Sequence, residues 1–396
     1  MITVLSVVGT RPEAIKMAPV IRELRRRSDR MRSLVCSVGQ HRHLLDQALN
    51  LFQIAPDYEL DVMRTEQSLA TLTASLFSGL ETVIADAKPD WILAQGDTTT
   101  VFVAAMQAFY HRIPFGHVEA GLRTGQRYSP FPEEINRRIA DLVSTVYFAP
   151  TPTAREALLR EGCSDKDIYV TGNTVIDALH DVASREYEWE SGPLAQVPKD
   201  APLVLVTAHR RESFGGPFRE LCLAIRDLAH RWAKQGVYFV FPVHLNPNVR
   251  RPVAEILSDQ PHVKLIEPLD YLSLVHLMKR SVLVLTDSGG IQEEAPGLHV
   301  PVLVMRETTE RPEGLHTGLV QLVGTDRARI MAAAETLLRS RGMRRAAIGA
   351  SPYGDGQAAR RIVSILLERS SDRRDVDAPE IPAATPLGER ATAPLQ

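Results

Sequence analysis

The stretch SVLVLTDSGGIQEEAP, residues 281–296, carries the pattern that decides the fold. An apolar run of strand character ends in Asp287, Ser288, Gly289 and Gly290, and a helix-forming segment begins at once. The two glycines permit close backbone approach, Ser288 offers a hydroxyl, and successive N–H groups at a helix start favour an anion. Charge-assisted N–H bonds supply most of that attraction, with the helix dipole adding about 0.3–1 kcal/mol. The same residues also suit a plain tight turn. Glu293 and Glu294 follow on the same helix; a carboxylate there can accept the two hydroxyls of a ribose, or both are acids favoured by a helix first turn, the reading preferred for Glu293.

Outward from this unit the pattern repeats. Upstream and downstream lie LVLVTA (203–208), VYFVFPV (237–243), VKLIEP (263–268) and VPVLVMR (300–306). An earlier series comprises ITVLSVV (2–8), RSLVCSV (32–38), WILAQ (91–95), PFGHV (114–118), TVYFAP (145–150) and DIYVTG (167–172). Short apolar runs alternating with amphipathic stretches read as buried parallel strands with crossover helices. Two such series predict an α/β protein of two doubly wound domains, residues 1–180 and 201–366. The stretch EYEWESGPLAQVPKDAP lacks either period, so 181–200 is expected to be a linker. Residues 371–396 are rich in Pro, Ala and charge and are expected to be a disordered tail.

Composition excludes several classes. At 396 residues the chain exceeds one ordinary core, and its net charge of −2 sets up no field for nucleic acid. The cluster Arg25, Arg26 and Arg27 reads as the solvated face of a first helix. Cys36, Cys163 and Cys222 form no CxxC pair, and the histidines no metal-ligand spacing, so no disulfide framework and no metal are expected. Nowhere do about 18 apolar residues run together, and the apolar N-terminus is too short for a signal peptide. A cytoplasmic protein without membrane partners is expected.

The remaining motifs sit at strand ends. Gly9-Thr10-Arg11-Pro12-Glu13 follows the first strand and opens a helix, with Gly9 in the turn and Pro12 near the helix start. Arg11 and Lys16 are then placed to clamp a diphosphate, or are simply surface cations after a turn. Asp97, in Gly96-Asp97-Thr98-Thr99-Thr100, Glu119, in HVEAGLRT (117–124), and Glu133, in PFPEEINR (130–137), could meet over one sheet edge. Carboxylates gathered in a cleft are what two-sided proton transfer needs. Taken singly, Asp97 also reads as an N-cap and Glu133 as a first-turn acid. His209, in HRRESFG (209–215), lies where the second domain would face these carboxylates; His244 reads as structural. The string Gly354-Asp355-Gly356-Gln357-Ala358-Ala359 matches a dinucleotide fingerprint but follows no strand, so it reads as a turn opening the last helix.

Together with TGNTVID (171–177), PVHLNPNV (242–249) and TTERPEG (308–314), these motifs resemble the non-hydrolysing UDP-N-acetylglucosamine 2-epimerases over residues 1–366. The resemblance implies a GT-B architecture, two Rossmann-like domains with the ligand in the cleft and a last helix crossing back to the first domain. It also implies a homodimer, no cofactor, and a UDP-N-acetylhexosamine substrate. By motif, Asp97, Glu119 and Glu133 match acid/base carboxylates and His209 a histidine near UDP. Arg11, Lys16, Ser288, Gly289, Gly290, Glu294 and Arg311 match residues that hold UDP. Two departures stand out. Leu298-His299-Val300 occupies a turn that carries glycine in many members. For a second, regulatory substrate site, Gln40 matches a contact but Glu66 stands where an arginine is found.

The hydrogen on carbon 2 is not acidic, so the carbon must first become electron-poor. Oxidation of a neighbouring carbon by a nicotinamide would do this, but the sequence offers no site for that cofactor; the expected route is departure of UDP from carbon 1, after which loss of the proton gives 2-acetamidoglucal. Protonation on the opposite face and return of UDP yield the manno epimer. Rival readings are a GT-B glycosyltransferase, a hydrolysing 2-epimerase and a non-catalytic UDP-sugar sensor. A modified sugar such as a diacetamido-uronate also remains open as substrate.

Overall fold

A computed structural model describes residues 1–39, 42–62, 67–309, 311–340 and 351–374. Gln40, Glu66 and the expected tail from 375 onward lie outside the described residues.

The first half forms strands β1 (Ile2–Val8), β2 (Met31–Ser37), β3 (Tyr58–Glu59), β4 (Trp91–Gln95), β5 (Phe115–Val118), β6 (Val146–Ala149) and β7 (Ile168–Val170). Between and after them run helices α1 (Arg11–Arg26), α2 (Arg42–Leu51), α3 (Leu69–Ala87), α4 (Thr99–Tyr110), α5 (Glu133–Val143), α6 (Pro152–Arg160) and α7 (Thr174–Ser184). The second half adds β8 (Leu203–Thr207), β9 (Tyr238–Pro242), β10 (Val263–Ile266), β11 (Ser281–Thr286), β12 (Val302–Val304) and β13 (Val320–Leu322). Its helices are α8 (Gly216–Trp232), α9 (Pro247–Leu257), α10 (Tyr271–Arg280), α11 (Gly289–Gly297), α12 (Arg327–Arg339) and α13 (Ala358–Arg374). The strands make two sheets, in the orders β3-β2-β1-β4-β5-β6-β7 and β10-β9-β8-β11-β12-β13. Every described pairing is parallel. β3 and β13 escape the sequence reading, β3 because two residues show no period and β13 because Gln321 interrupts its apolar run.

In both sheets the strand order reverses once, between β1 and β4 and between β8 and β11. Crossover connections leave on opposite faces there, which opens a crevice at the carboxyl ends of the strands. The central strands are buried on both faces, as their continuous Val, Ile and Leu runs require.

The helix α13 belongs to the first core, although it comes last in the chain. Ile362, Val363 and Leu366 are fully buried with residues of α1 and α7, each worth about 1.5–3 kcal/mol relative to exposure. Trp91 donates its indole N–H to Ser370 Oγ at 2.8 Å. Asp177 on α7 caps α13 from another element, accepting from Ala358 N and Ala359 N at 3.2 and 2.9 Å. The fingerprint-like string 354–359 is thus a turn and helix start. The helix continues to Arg374, four residues into the stretch expected as tail.

The expected linker 181–200 differs in structure. α7 extends to Ser184, and Trp189, Leu194 and Val197 are buried in the core of the second sheet. Three apolar anchors spaced too irregularly to show a period dock this segment. No described helix is long and apolar enough to cross a membrane.

At the end of α11, His299 has φ of +58°. This left-handed position after a helix is the one glycine usually fills, so the turn keeps its shape with a side chain that strains it.

Candidate active site

The β1–α1 turn is built by local hydrogen bonds. Thr10 Oγ1 accepts from Glu13 N, and Glu13 Oε2 accepts from Gly9 N at 2.6 Å and Thr10 N at 3.3 Å, a reciprocal capping box. Gly9 is required by close approach, because a Cβ there would lie 2.3 Å from Thr100 Oγ1. Burial pushes the Glu13 carboxyl up to about 7, against the lowering influence of Thr98, Gly9 and Thr10. The turn delivers Arg11 to the crevice, where it lines a cavity of about 280 Å³ with Gln47, Leu51, Asp270 and Tyr271.

Across the same switch point, β4 ends in Gly96 and Asp97. Arg137 of α5 binds the Asp97 carboxylate, and Asn136 Nδ2 donates to the Asp97 carbonyl at 3.0 Å. His117 on β5 is fully buried, with Nε2 at 2.7 Å from the Gly96 carbonyl and Nδ1 at 2.6 Å from Asp141 Oδ1. Burial opposes its charge, yet Asp141 outweighs burial and holds the imidazole above its ordinary value. Glu133 heads α5, half-buried and with no side-chain partner among the described residues; its helix is the one that holds Asp97. Its neighbour Glu134 is fully buried and accepts from Thr124 N and Gly125 N, bracing the loop before α5.

Glu119 follows β5 directly and has φ of +67°, a left-handed conformation held by its N–H bond to Phe148 O. Such backbone strain costs about 1–3 kcal/mol and gathers at functional sites. Lys16 Nζ lies 2.6 Å from Glu119 Oε2, both side chains buried. Burial favours the neutral acid, but Lys16 overcomes it and keeps Glu119 below the ordinary carboxylate range. Lys16, expected among the UDP-holding residues, pairs here with Glu119.

The facing edge comes from β8 and β11. Asp287, fully buried, accepts from His209 N at 2.7 Å and Arg210 N at 2.8 Å, fixing the turn that presents His209. The His209 ring stacks on His244, centroids 5.4 Å apart and planes within 14°. His244, expected to be structural, supports the His209 ring at this edge. Burial lowers His209 from its ordinary value; Asp287 opposes the shift and His244 adds to it. Ser288 is the N-cap of α11 and spends no side-chain bond on the cap. A Cβ on Gly289 would lie 3.0 Å from Arg311 Nη1, so the guanidinium sits directly over the helix start. Backbone N–H groups and Arg311 thereby meet at the helix start, an arrangement that suits an anion.

Glu294 is buried and pushed up to about 7, chiefly by burial and then by Glu293, with Lys16, Tyr271 and Arg11 opposing. Glu293 is not a first-turn acid. It lies past the first turn, fully buried, and accepts from Arg311 Nε at 2.6 Å and Asn173 Nδ2 at 2.9 Å. Asn173 also donates to Glu119 Oε2 at 3.0 Å. Neither residue's role was readable from the sequence; the only signal was the position of Asn173 as the cap opening α7. No cluster of three or more metal-ligating side chains forms among the described residues.

Two Rossmann-like parallel sheets whose switch points face each other across a cleft define the GT-B class. The model of the UDP-N-acetylglucosamine 2-epimerase family matches residues 22–367. The UDP-N-acetylglucosamine 2-epimerase of Escherichia coli K12 is 50% identical over 370 residues, spanning 92% of this chain and 98% of that protein. The crystal structure of UDP-GlcNAc 2-epimerase from Neisseria meningitidis, bound to UDP-GlcNAc, superposes with a TM-score of 0.84 at 45% identity, covering 93% of this chain and 100% of that one. The Methanocaldococcus jannaschii UDP-GlcNAc 2-epimerase in complex with UDP-GlcNAc and UDP gives 0.77 at 32% identity, covering 93% and 100%. The chain belongs to the UDP-N-acetylglucosamine 2-epimerase family.

Proposed function

We propose that the chain interconverts UDP-N-acetylglucosamine and UDP-N-acetylmannosamine without releasing free sugar. The supporting observation is one cleft with carboxylates on one wall and an anion nest on the other. Ser288, Gly289, Gly290 and Arg311 hold the diphosphate, assisted by Arg11, and Glu294 takes the ribose. The bond between carbon 1 and the UDP oxygen breaks, its electron pair leaving with UDP, whose charge the nest stabilises. A carboxylate removes the carbon 2 proton to give 2-acetamidoglucal. Glu119, kept ionised by Lys16, is suited to act as that base. Asp97 and Glu133 complete the set that delivers a proton to the other face before UDP returns, and His209 lies beside the leaving group.

The same reading includes a homodimer, supported by the exposed Phe109, Tyr110 and Leu142 on the paired helices α4 and α5, and a cytoplasmic supply of precursor for surface polysaccharide. Incubation with UDP-N-acetylglucosamine in D₂O, followed by NMR, tests the chemistry. UDP-N-acetylmannosamine carrying deuterium at carbon 2 is expected, and an oxygen-18 label in the sugar–phosphate bridge should scramble into a non-bridging position. Free N-acetylmannosamine would mean hydrolysis, and epimer formed without oxygen scrambling would defeat the elimination route.

A further inference from the structure

Asn173 joins the two domains at the level of the candidate site. Its two amide hydrogens point at two carboxylates, Glu119 Oε2 at 3.0 Å in the first domain and Glu293 Oε2 at 2.9 Å in the second. The rest of the residue is spoken for. Oδ1 accepts from Val175 N at 3.0 Å, capping α7, and its backbone N–H donates to Tyr353 O at 2.7 Å. Tyr353 is buried, and its hydroxyl accepts from Gly314 N at 3.0 Å, just beyond Arg311. Asn173 is 2% exposed.

We infer that Asn173 is a positioning residue that ties the base Glu119 to the diphosphate side of the cleft through Glu293. The inference rests on the proposed roles of Glu119 and Arg311. Along the chain of contacts the order is Lys16, Glu119, Asn173, Glu293, Arg311: a cation at each end, two carboxylates within, one neutral donor between them. Two carboxylates that share one donor repel each other. The amide shared between them offsets that repulsion. When a diphosphate occupies the nest it competes with Glu293 for Arg311. Glu293 then draws more on Asn173, Glu119 loses part of its donor, and its basicity rises while the leaving group is in place. The charged groups facing Glu119 in this arrangement are Lys16 from α1, Glu293 from α11, and Arg311.

Two substitutions should displace the acid limb of the kcat/KM profile in opposite directions. Asn173→Asp keeps the cap of α7, since Asp is as good an N-cap, but exchanges the shared donor for a third carboxylate. The limb should rise by about one pH unit, and turnover at neutral pH should fall about tenfold or more. Glu293→Gln removes a repelling charge without touching the cap, and the limb should move down. A merely structural Asn173 would lower the melting temperature and leave the limb where it is. Limbs unmoved in both variants, or moved in the same direction, would overturn the proposal. Should Asn173→Asp not fold, Glu293→Gln decides alone: a downward move supports the proposal and an unmoved limb overturns it. Glu119→Gln is the control for the underlying reading. Full activity there removes Glu119 as base, and the proposal with it, whereas an inactive Glu119→Gln with unmoved limbs rejects the role of Asn173 alone.

Discussion

The two walls of the cleft share a topology and differ in materials. In the proposed site the groups at the β4–β5 edge are titratable side chains, several paired or strained: Asp97 on Arg137, Glu119 on Lys16 at a left-handed φ, His117 between Asp141 and a carbonyl. At the β8–β11 edge they are mostly backbone N–H groups at a helix start, with Asp287 bracing the turn and Arg311 laid over the glycines. Holding an anion of fixed charge requires donors that never titrate, and backbone groups supply them. Moving protons requires groups whose affinity is tuned, and only side chains can be tuned by burial and neighbours.

That contrast breaks if either wall does the work of the other. Amide variants of Asp97, Glu119 and Glu133 should each lower turnover by about 10²–10⁴-fold while leaving UDP affinity within a few-fold by calorimetry. Gly289→Val should do the reverse. Its side chain would drive Arg311 from the helix start, and UDP affinity should fall by about tenfold or more. An amide variant that loses UDP binding, or a folded Gly289→Val that keeps it, would erase the division.

A smaller effect is expected from the buried carboxyl at the first wall's turn. Glu13 is raised from 4.5 to about 7 in the folded chain. The unfolded chain releases this proton first, so its contribution to stability is full below about pH 4.5 and is lost as pH rises towards 7. Glu13→Gln should flatten the fall of melting temperature across that window. An unchanged slope would mean that other groups govern it.

The smallest effect belongs to the far end of α11. His299→Gly should relieve the left-handed strain and stabilise the chain by about 0.5–1 kcal/mol, read from denaturant unfolding. UDP affinity should not change, because the nest lies at the opposite end of the helix.

Much of this molecule is local and therefore written in order along the chain. The two strand series and the glycine turn before α11 each depend on residues a few positions apart, and the local pattern reveals them. The carboxyl ends of the strands followed, and with them the placement of Arg11, Asp97, Glu119, His209 and Ser288. What the sequence could not disclose is which of these groups meet. Lys16 finds Glu119 across 103 positions, and Asn173 reaches Glu119 across 54 and Glu293 across 120. The anchoring of Trp189, Leu194 and Val197 in the second core is likewise invisible to a period. No local pattern encodes such pairs. They arise only when two separately wound sheets bring their switch points together and burial favours a partner for each charge that stays ionised.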